Sequence, residues 1–124
     1  MRKILATVAL VGLFCVPLRA EITVKEYHKW VHSSDRDRAA TMKLYIMGVG
    51  SGILWANTAA AKNNAPLYCQ PPNFTMNGDY YIDILDKMIK DLESKTTAKE
   101  LNEYSVGALV LTGLQQSFPC QAAK

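Results

Sequence analysis

The sequence predicts an all-α domain, a small bundle of about four helices with one disulfide. Three observations support this prediction. Apolar residues recur with a helical period along most of the chain. Helix-capping patterns precede these periodic segments, and no segment alternates apolar and polar residues as a β-hairpin does. A chain of 124 residues allows one domain, which we assign to residues 21–124.

The first 20 residues have the pattern of a secretory signal peptide. Arg2 and Lys3 are followed by an uncharged apolar stretch, and Ala20 is a suitable cleavage residue. An uncleaved membrane anchor is the alternative, but the stretch is shorter than the roughly 20 apolar residues that a spanning helix needs. We therefore expect an exported protein that has no membrane attachment after cleavage.

Two of the three cysteines, Cys69 and Cys120, belong to the predicted domain. An even number of cysteines in an oxidising compartment favours a disulfide, and two cysteines allow only one pairing. The alternative is a nucleophilic Cys69 that is paired with a histidine, which would require a free thiol and a cleft.

Four helices are predicted in order. The capping box Thr23 to Glu26 starts the first helix, which ends near Ser33. The second helix begins at 34–37 and ends near Lys62. It is apolar around most of its circumference, so we expect it to be central and buried.

A proline-rich loop over residues 63–77 follows the second helix, and Asn77 is predicted to cap the third. A short polar turn follows the third helix. The capping box Thr97 to Glu100 then starts a fourth helix, which is predicted to run without a break to Phe118.

Small residues recur every four positions along the second helix, and they therefore share one face. They are Gly48, Gly52, Ala56 and Ala60. This pattern predicts close packing against another helix of the same chain. The alternative is a contact with a second subunit.

Several other classes of function find no support in the sequence. Three of the 14 Lys and Arg residues (Arg2, Lys3 and Arg19) lie in the first 20 residues, so 11 remain against 11 Asp and Glu. This balance argues against a nucleic-acid partner. His28 and His32 are four residues apart, but neither the glutamate nor the third ligand of a zinc site accompanies them. We predict a protein that is not an enzyme and has no cofactor, metal or catalytic residue.

Five segments together resemble the Rap/Tai family of bacterial immunity proteins. They are Tyr45-Ile-Met-Gly48-Val49, Cys69-Gln-Pro71, Tyr81-Ile-Asp-Ile-Leu85, Phe118-Pro-Cys120 and the preceding signal peptide. The resemblance covers residues 42 to 120. It implies a small helical periplasmic protein, often a homodimer, that binds and inhibits a peptidoglycan amidase delivered by a type VI secretion system.

The resemblance also implies that the third helix and the turn after it block the groove of the effector. By position alone, this turn comprises Asp91, Glu93, Ser94, Lys95, Thr96 and Thr97. The alternative function is a small periplasmic stress chaperone or an unassigned helical structural protein.

Overall fold

A computed structural model describes residues 21–121, which form five helices and no β-strand. The helices are α1 (Val24–Val31), α2 (Arg36–Ala61), α3 (Gly78–Glu93), α4 (Ala98–Glu103) and α5 (Val106–Ser117). The all-α prediction is confirmed. The prediction of a continuous fourth helix is wrong, because that segment is divided into α4 and α5. The predicted signal peptide lies outside the described residues.

Polar side chains start the helices where the sequence predicts them. Glu26 accepts a hydrogen bond from the backbone N–H of Thr23 at 2.9 Å, which closes the capping box of α1. The carboxylate of Asp35 caps α2, and Asn77 Oδ1 accepts from the N–H of Tyr80 at 2.9 Å at the start of α3. These bonds satisfy backbone donors that have no partner within the helix.

The break between α4 and α5 lies at Tyr104 and Ser105. Tyr104 has an extended backbone, with φ −65° and ψ 140°, and Ser105 Oγ caps α5 by accepting from the N–H of Ala108 at 3.1 Å. The extended backbone forms a bridge with the segment before α1. Val24 N–H donates to the Tyr104 carbonyl and Val106 N–H donates to the Ile22 carbonyl, each at 3.0 Å. The backbone at this break therefore connects the segment before α1 to the start of α5.

The core is built around α3, which packs against α2, α4 and α5. Its buried apolar side chains meet side chains from every other helix and from the loop before α3. The largest fully buried residues are Tyr27, Tyr68, Met42, Ile46, Leu85, Leu114, Val24, Val106 and Val110. Two glycines bring helices close together, because a Cβ on Gly50 would overlap the ring of Tyr81 and a Cβ on Gly113 would overlap Ile84.

The disulfide predicted between Cys69 and Cys120 is present, with Cα atoms 4.8 Å apart. It joins the loop between α2 and α3 to the chain just after α5. The N–H of Cys69 also donates to the Phe118 carbonyl at 2.8 Å. The alternative role of Cys69 as a nucleophile is wrong for this structure, because its sulfur is bonded to Cys120.

The expectation that α2 is buried on all sides is also wrong. Its buried residues are Met42, Ile46, Gly50 and Asn57, all on the side that faces the bundle. Leu44 and Trp55, on the other side, are 66% and 74% exposed. Apolar composition predicted burial, but the other four helices cover only one side of α2 in the described chain.

The small-residue face of α2 does not pack inside the chain as predicted. Gly48, Gly52 and Ala56 are exposed and Ala60 is half-buried. A Cβ added to Gly48 or Gly52 would meet no atom within 4 Å. The glycine that allows close packing is Gly50, which lies on the bundle side. A subunit contact through the small-residue face remains a prediction.

Candidate functional site

The candidate site is the turn between α3 and α4. Its backbone is held by two hydrogen bonds, because the N–H groups of Lys95 and Thr96 both donate to the Leu92 carbonyl, at 2.9 and 3.0 Å. Of the six positions predicted for the effector contact, Thr96 is half-buried and the others, Asp91, Glu93, Ser94, Lys95 and Thr97, are exposed. All six positions therefore lie on one short segment, and five of them are exposed.

Glu100 organises the second half of this turn. Its Oε2 accepts from Thr96 Oγ1 at 2.7 Å, from Thr97 Oγ1 at 2.9 Å and from the Thr97 N–H at 3.1 Å. These bonds lower the pKa of the Glu100 carboxyl below its usual range, and the bond from the Thr96 hydroxyl has the largest effect. Glu100 was predicted only as a helix cap, but it also determines the conformation of the turn.

The hydroxyl groups of the turn are consequently already paired. Thr96 and Thr97 donate to Glu100, and Ser94 Oγ donates to the Asp91 carbonyl at 3.2 Å. In this structure the hydroxyl hydrogens of Thr96 and Thr97 are therefore used within the chain. Their role in this structure is to hold the turn in one conformation.

The charged groups of the turn remain available for a partner. Within residues 21–121 the only ion pair is between Arg38 and Asp35, at the start of α2. Asp91, Glu93 and Lys95 are exposed and take no part in it. The turn therefore presents two carboxylates and one ammonium group to solvent on a fixed backbone.

A groove lies on each side of the turn. One is lined by His28, Glu93, Thr96, Ala98, Leu101 and Asn102. The other is lined by Thr96, Thr97, Lys99, Glu100, Glu103 and Tyr104. Thr96 lies in both grooves, so the turn forms a ridge between them. Sequence reasoning missed Tyr104 as a surface residue: it lies at the helix break and is 41% exposed.

The helices that carry the ridge are fixed to the bundle. Leu101 of α4 and Met88 and Ile89 of α3 are buried in the core. Tyr27 of α1 donates from its hydroxyl to Asp86 Oδ1 of α3 at 2.6 Å. Burial has the largest effect in raising the pKa of the Tyr27 hydroxyl, and the hydrogen bond to Asp86 raises it further. The position of the turn is therefore set by buried contacts on both sides.

The two histidines of this part of the chain lie at α1. His28 and His32 have ring centroids 5.9 Å apart. Within residues 21–121, however, no three His, Cys, Asp or Glu side chains converge as metal ligands would. In this part of the chain, no helix has the length and hydropathy that a membrane span requires. The ridge and its two grooves are a candidate binding surface.

Comparison of the chain with protein-family models, with curated proteins and with solved structures found no match.

Proposed function

We propose that this protein is a periplasmic immunity protein that binds a peptidoglycan amidase effector of a type VI secretion system and blocks its active-site groove. The observation that carries the proposal is the ridge at residues 91–97, which presents three exposed charged side chains and is held at Thr96 and Thr97 by Glu100. The resemblance of the sequence to the Rap/Tai family suggests the class of partner.

The rigidity of the ridge supports a role in occlusion. Enzyme active sites are concave, so a blocking element must be convex and narrow enough to enter. A loop that is already ordered loses less conformational entropy on binding than a flexible one. In this chain the capping box at Thr97 and the two bonds to the Leu92 carbonyl order the turn before any partner is present.

The charges of the ridge support specificity. Three exposed charged residues are close together in this segment: Asp91 and Glu93 at the end of α3, and Lys95 just after it. An effector groove that presents charges of opposite sign would attract them and would also distinguish this inhibitor from related ones. The end of α3 would enter the same groove, since Asp91 and Glu93 belong to that helix.

The proposal predicts that a peptidoglycan amidase is encoded beside the gene for this chain, and the test uses that amidase. The amidase is directed to the bacterial periplasm with and without the protein, and cell lysis is measured. Inhibition is then measured with the purified proteins, as the release of new amino groups from peptidoglycan. We expect the parent protein to prevent lysis and to inhibit the amidase at a stoichiometric ratio.

Substitutions test whether the ridge, rather than another part of the surface, inhibits the amidase. Lys95→Glu, and the pair Glu93→Ser with Lys95→Ser, should weaken inhibition at least about tenfold, because interfacial charge pairs contribute on this scale. Lys25→Glu makes the same charge change at an exposed position of α1 and serves as the matched control. Thr96 is retained, because its hydroxyl bonds to Glu100.

We expect all these variants to have the same melting temperature as the parent protein. If the ridge variants protect as well as Lys25→Glu does, the ridge is not the inhibitory element. If the parent protein neither binds nor inhibits the neighbouring amidase, the proposed function is wrong.

A further inference from the structure

The outer face of α2 is apolar and uncovered in the described chain. Two large side chains project from it, Leu44 at 66% exposed and Trp55 at 74% exposed. They are separated by about three helical turns and lie on the same side of the helix. Met47 and Leu54 are exposed at the flank of this face, at 39% and 37%. A contiguous exposed apolar patch is typical of an interaction surface.

Charged side chains occur only at the two ends of α2. The 18 residues from Leu44 to Ala61 carry no charge, and the loop at 63–77 carries none either. Four basic and two acidic residues belong to the helix and its caps, so its net charge is +2. They are Arg36, Arg38, Lys43, Lys62, Asp35 and Asp37.

The basic residues Lys43 and Lys62 bracket the uncharged stretch, and both are exposed. The acidic Asp37 is also exposed, but it has an arginine on each side along the chain. The other acidic residue, Asp35, already forms an ion pair with Arg38 at 3.3 Å. The apolar stretch therefore has a basic group at each end.

The opposite charge lies on another part of the bundle. Residues 78–103, which comprise α3, the turn after it and α4, contain seven Asp and Glu residues and four Lys residues. The helix α3 packs against the buried side of α2, where the ring of Tyr81 lies against Gly50. The domain is therefore polarised, with positive charge on α2 and negative charge on the α3–α4 segment.

We propose that the outer face of α2 binds the surface of a lipid bilayer that contains anionic phospholipids. Because the other side of the helix is buried in the bundle, α2 lies along the surface, with its exposed apolar side chains at the boundary between headgroups and acyl chains. Trp55 suits this position, since its ring is apolar and its N–H can donate to a headgroup. The long side chains of Lys43 and Lys62 let their ammonium groups reach the lipid phosphates.

The charges favour a bilayer over a second copy of the chain. Two copies that meet through this face bring together two helices of net charge +2, which repel, whereas an anionic surface attracts the same helix. The acidic α3, on the buried side of α2, then lies away from the lipid phosphates.

This inference differs from the expectation of no membrane attachment after cleavage. That expectation came from the N-terminal segment alone, whereas the face proposed to bind lipid belongs to α2. The inference does not depend on the proposed amidase partner either.

The first test measures binding to vesicles by flotation. The purified protein should float with vesicles of phosphatidylethanolamine and phosphatidylglycerol, and much less with vesicles of phosphatidylcholine alone. Trp55→Ser should weaken partitioning at least about tenfold, because it removes a large exposed apolar side chain. Tyr104→Ser removes an exposed aromatic residue outside α2 and should bind as the parent does. All variants keep the same N-terminus, so binding by the first 20 residues would not depend on Trp55.

The second test concerns the charges. Lys43→Gln and Lys62→Gln should each weaken partitioning about fivefold, since one basic residue near an anionic surface contributes on this scale. Lys25→Gln removes the same charge at an exposed position of α1 and serves as the matched control. Added salt should weaken the binding of the parent protein, because it screens these attractions. Circular dichroism and thermal melting establish that all variants are folded.

Tryptophan fluorescence reports whether Trp55 itself leaves water. The chain has two tryptophans, Trp30 and Trp55. Anionic vesicles should shift the emission of the parent protein to shorter wavelength. Trp30→Phe should keep this shift, whereas Trp55→Phe should lose it and still float with the vesicles, because phenylalanine is also apolar.

Three outcomes would overturn the proposal. A parent protein that does not float with anionic vesicles, or a Trp55→Ser variant that floats equally well, would show that this face does not bind lipid. Equal binding to phosphatidylcholine vesicles would exclude the role of the charges. A parent dimer that Trp55→Ser converts to a monomer, without flotation of either, would assign the face to a second copy.

Discussion

The side chain of Asn57 bonds to both backbone polar groups of Tyr68. Asn57 Nδ2 donates to the Tyr68 carbonyl at 3.1 Å, and Asn57 Oδ1 accepts from the Tyr68 N–H at 3.1 Å. The same oxygen accepts from the N–H of Leu67 at 2.7 Å. One buried amide near the C-terminal end of α2 thus fixes the loop immediately before Cys69 and holds that cysteine in position to meet Cys120.

Asn57→Ala is expected to lower the free energy of unfolding by about 3 kcal/mol, because it leaves buried backbone groups of Leu67 and Tyr68 without partners. Thr58→Ala is the matched control, since Thr58 is exposed and its hydroxyl only bonds back to Leu54 of the same helix. Urea denaturation of both variants measures the difference. Equal stabilities would contradict the role assigned to Asn57.

Gly50 and Gly52 should respond in opposite directions to the same substitution. Gly50→Ala places a methyl group into the ring of Tyr81, and such overpacking typically costs about 1–3 kcal/mol. Gly52→Ala meets open space and should stabilise the helix by up to about 1 kcal/mol, since alanine has the higher helix propensity. Thermal melting at one protein concentration compares them. A less stable Gly52→Ala variant with an unaffected Gly50→Ala would refute this packing.

Two buried tyrosines form another matched pair. Tyr27→Phe removes a hydroxyl that donates to Asp86, and it should destabilise the protein by about 1 kcal/mol. The Tyr68 hydroxyl is buried, and it has no hydrogen-bond partner among the described residues. Tyr68→Phe should therefore leave stability unchanged or raise it by about 1 kcal/mol. Chemical denaturation measures the free energy of unfolding of both variants. If Tyr68→Phe destabilises the protein as much as Tyr27→Phe does, the Tyr68 hydroxyl is not without a partner.

Glu100 should make stability depend on acidic pH. Its pKa is lowered in the folded protein from the usual value of 4.5, so its stabilising contribution is present above pH 4.5 and disappears as the pH falls through the lowered pKa. Glu100→Gln keeps an acceptor for the cap but carries no charge. The stability difference between parent and variant should be largest at neutral pH and should shrink in acid. A difference that is independent of pH would contradict the role of the carboxylate.

Helix starts were well predicted because the capping interactions are local. Thr23, Asn77 and Thr97 each act through a backbone group no more than three residues away, so a short sequence pattern contains the whole interaction. The pairing of Cys69 with Cys120 was predictable for a different reason, since two cysteines allow one connectivity.

The features that were missed depend on distant parts of the chain. Ser105 has the form of an N-cap before the apolar run of α5, but the apolar period continues across it, and the break is stabilised by Ile22 and Val24. Asn57 looks like an isolated polar residue in an apolar helix, and only the folded loop supplies its partners. The exposed face of α2 was missed because composition reports hydrophobicity but not which side the other helices cover.

The bridge between Thr23 and Ser105 also constrains when the protein can finish folding. The residues that enclose the start of α1 lie more than 80 positions further along the chain, as the contact of Ser105 with Glu21 across 84 residues illustrates. During synthesis, α1 can pack against α2 as soon as that helix is made, but the backbone groups of Ile22 and Val24 have no bridge partner until residues 104–106 have left the ribosome. Contacts of such long sequence separation close late and slow the folding of small domains. The fold therefore becomes complete only after nearly the whole chain has been synthesised.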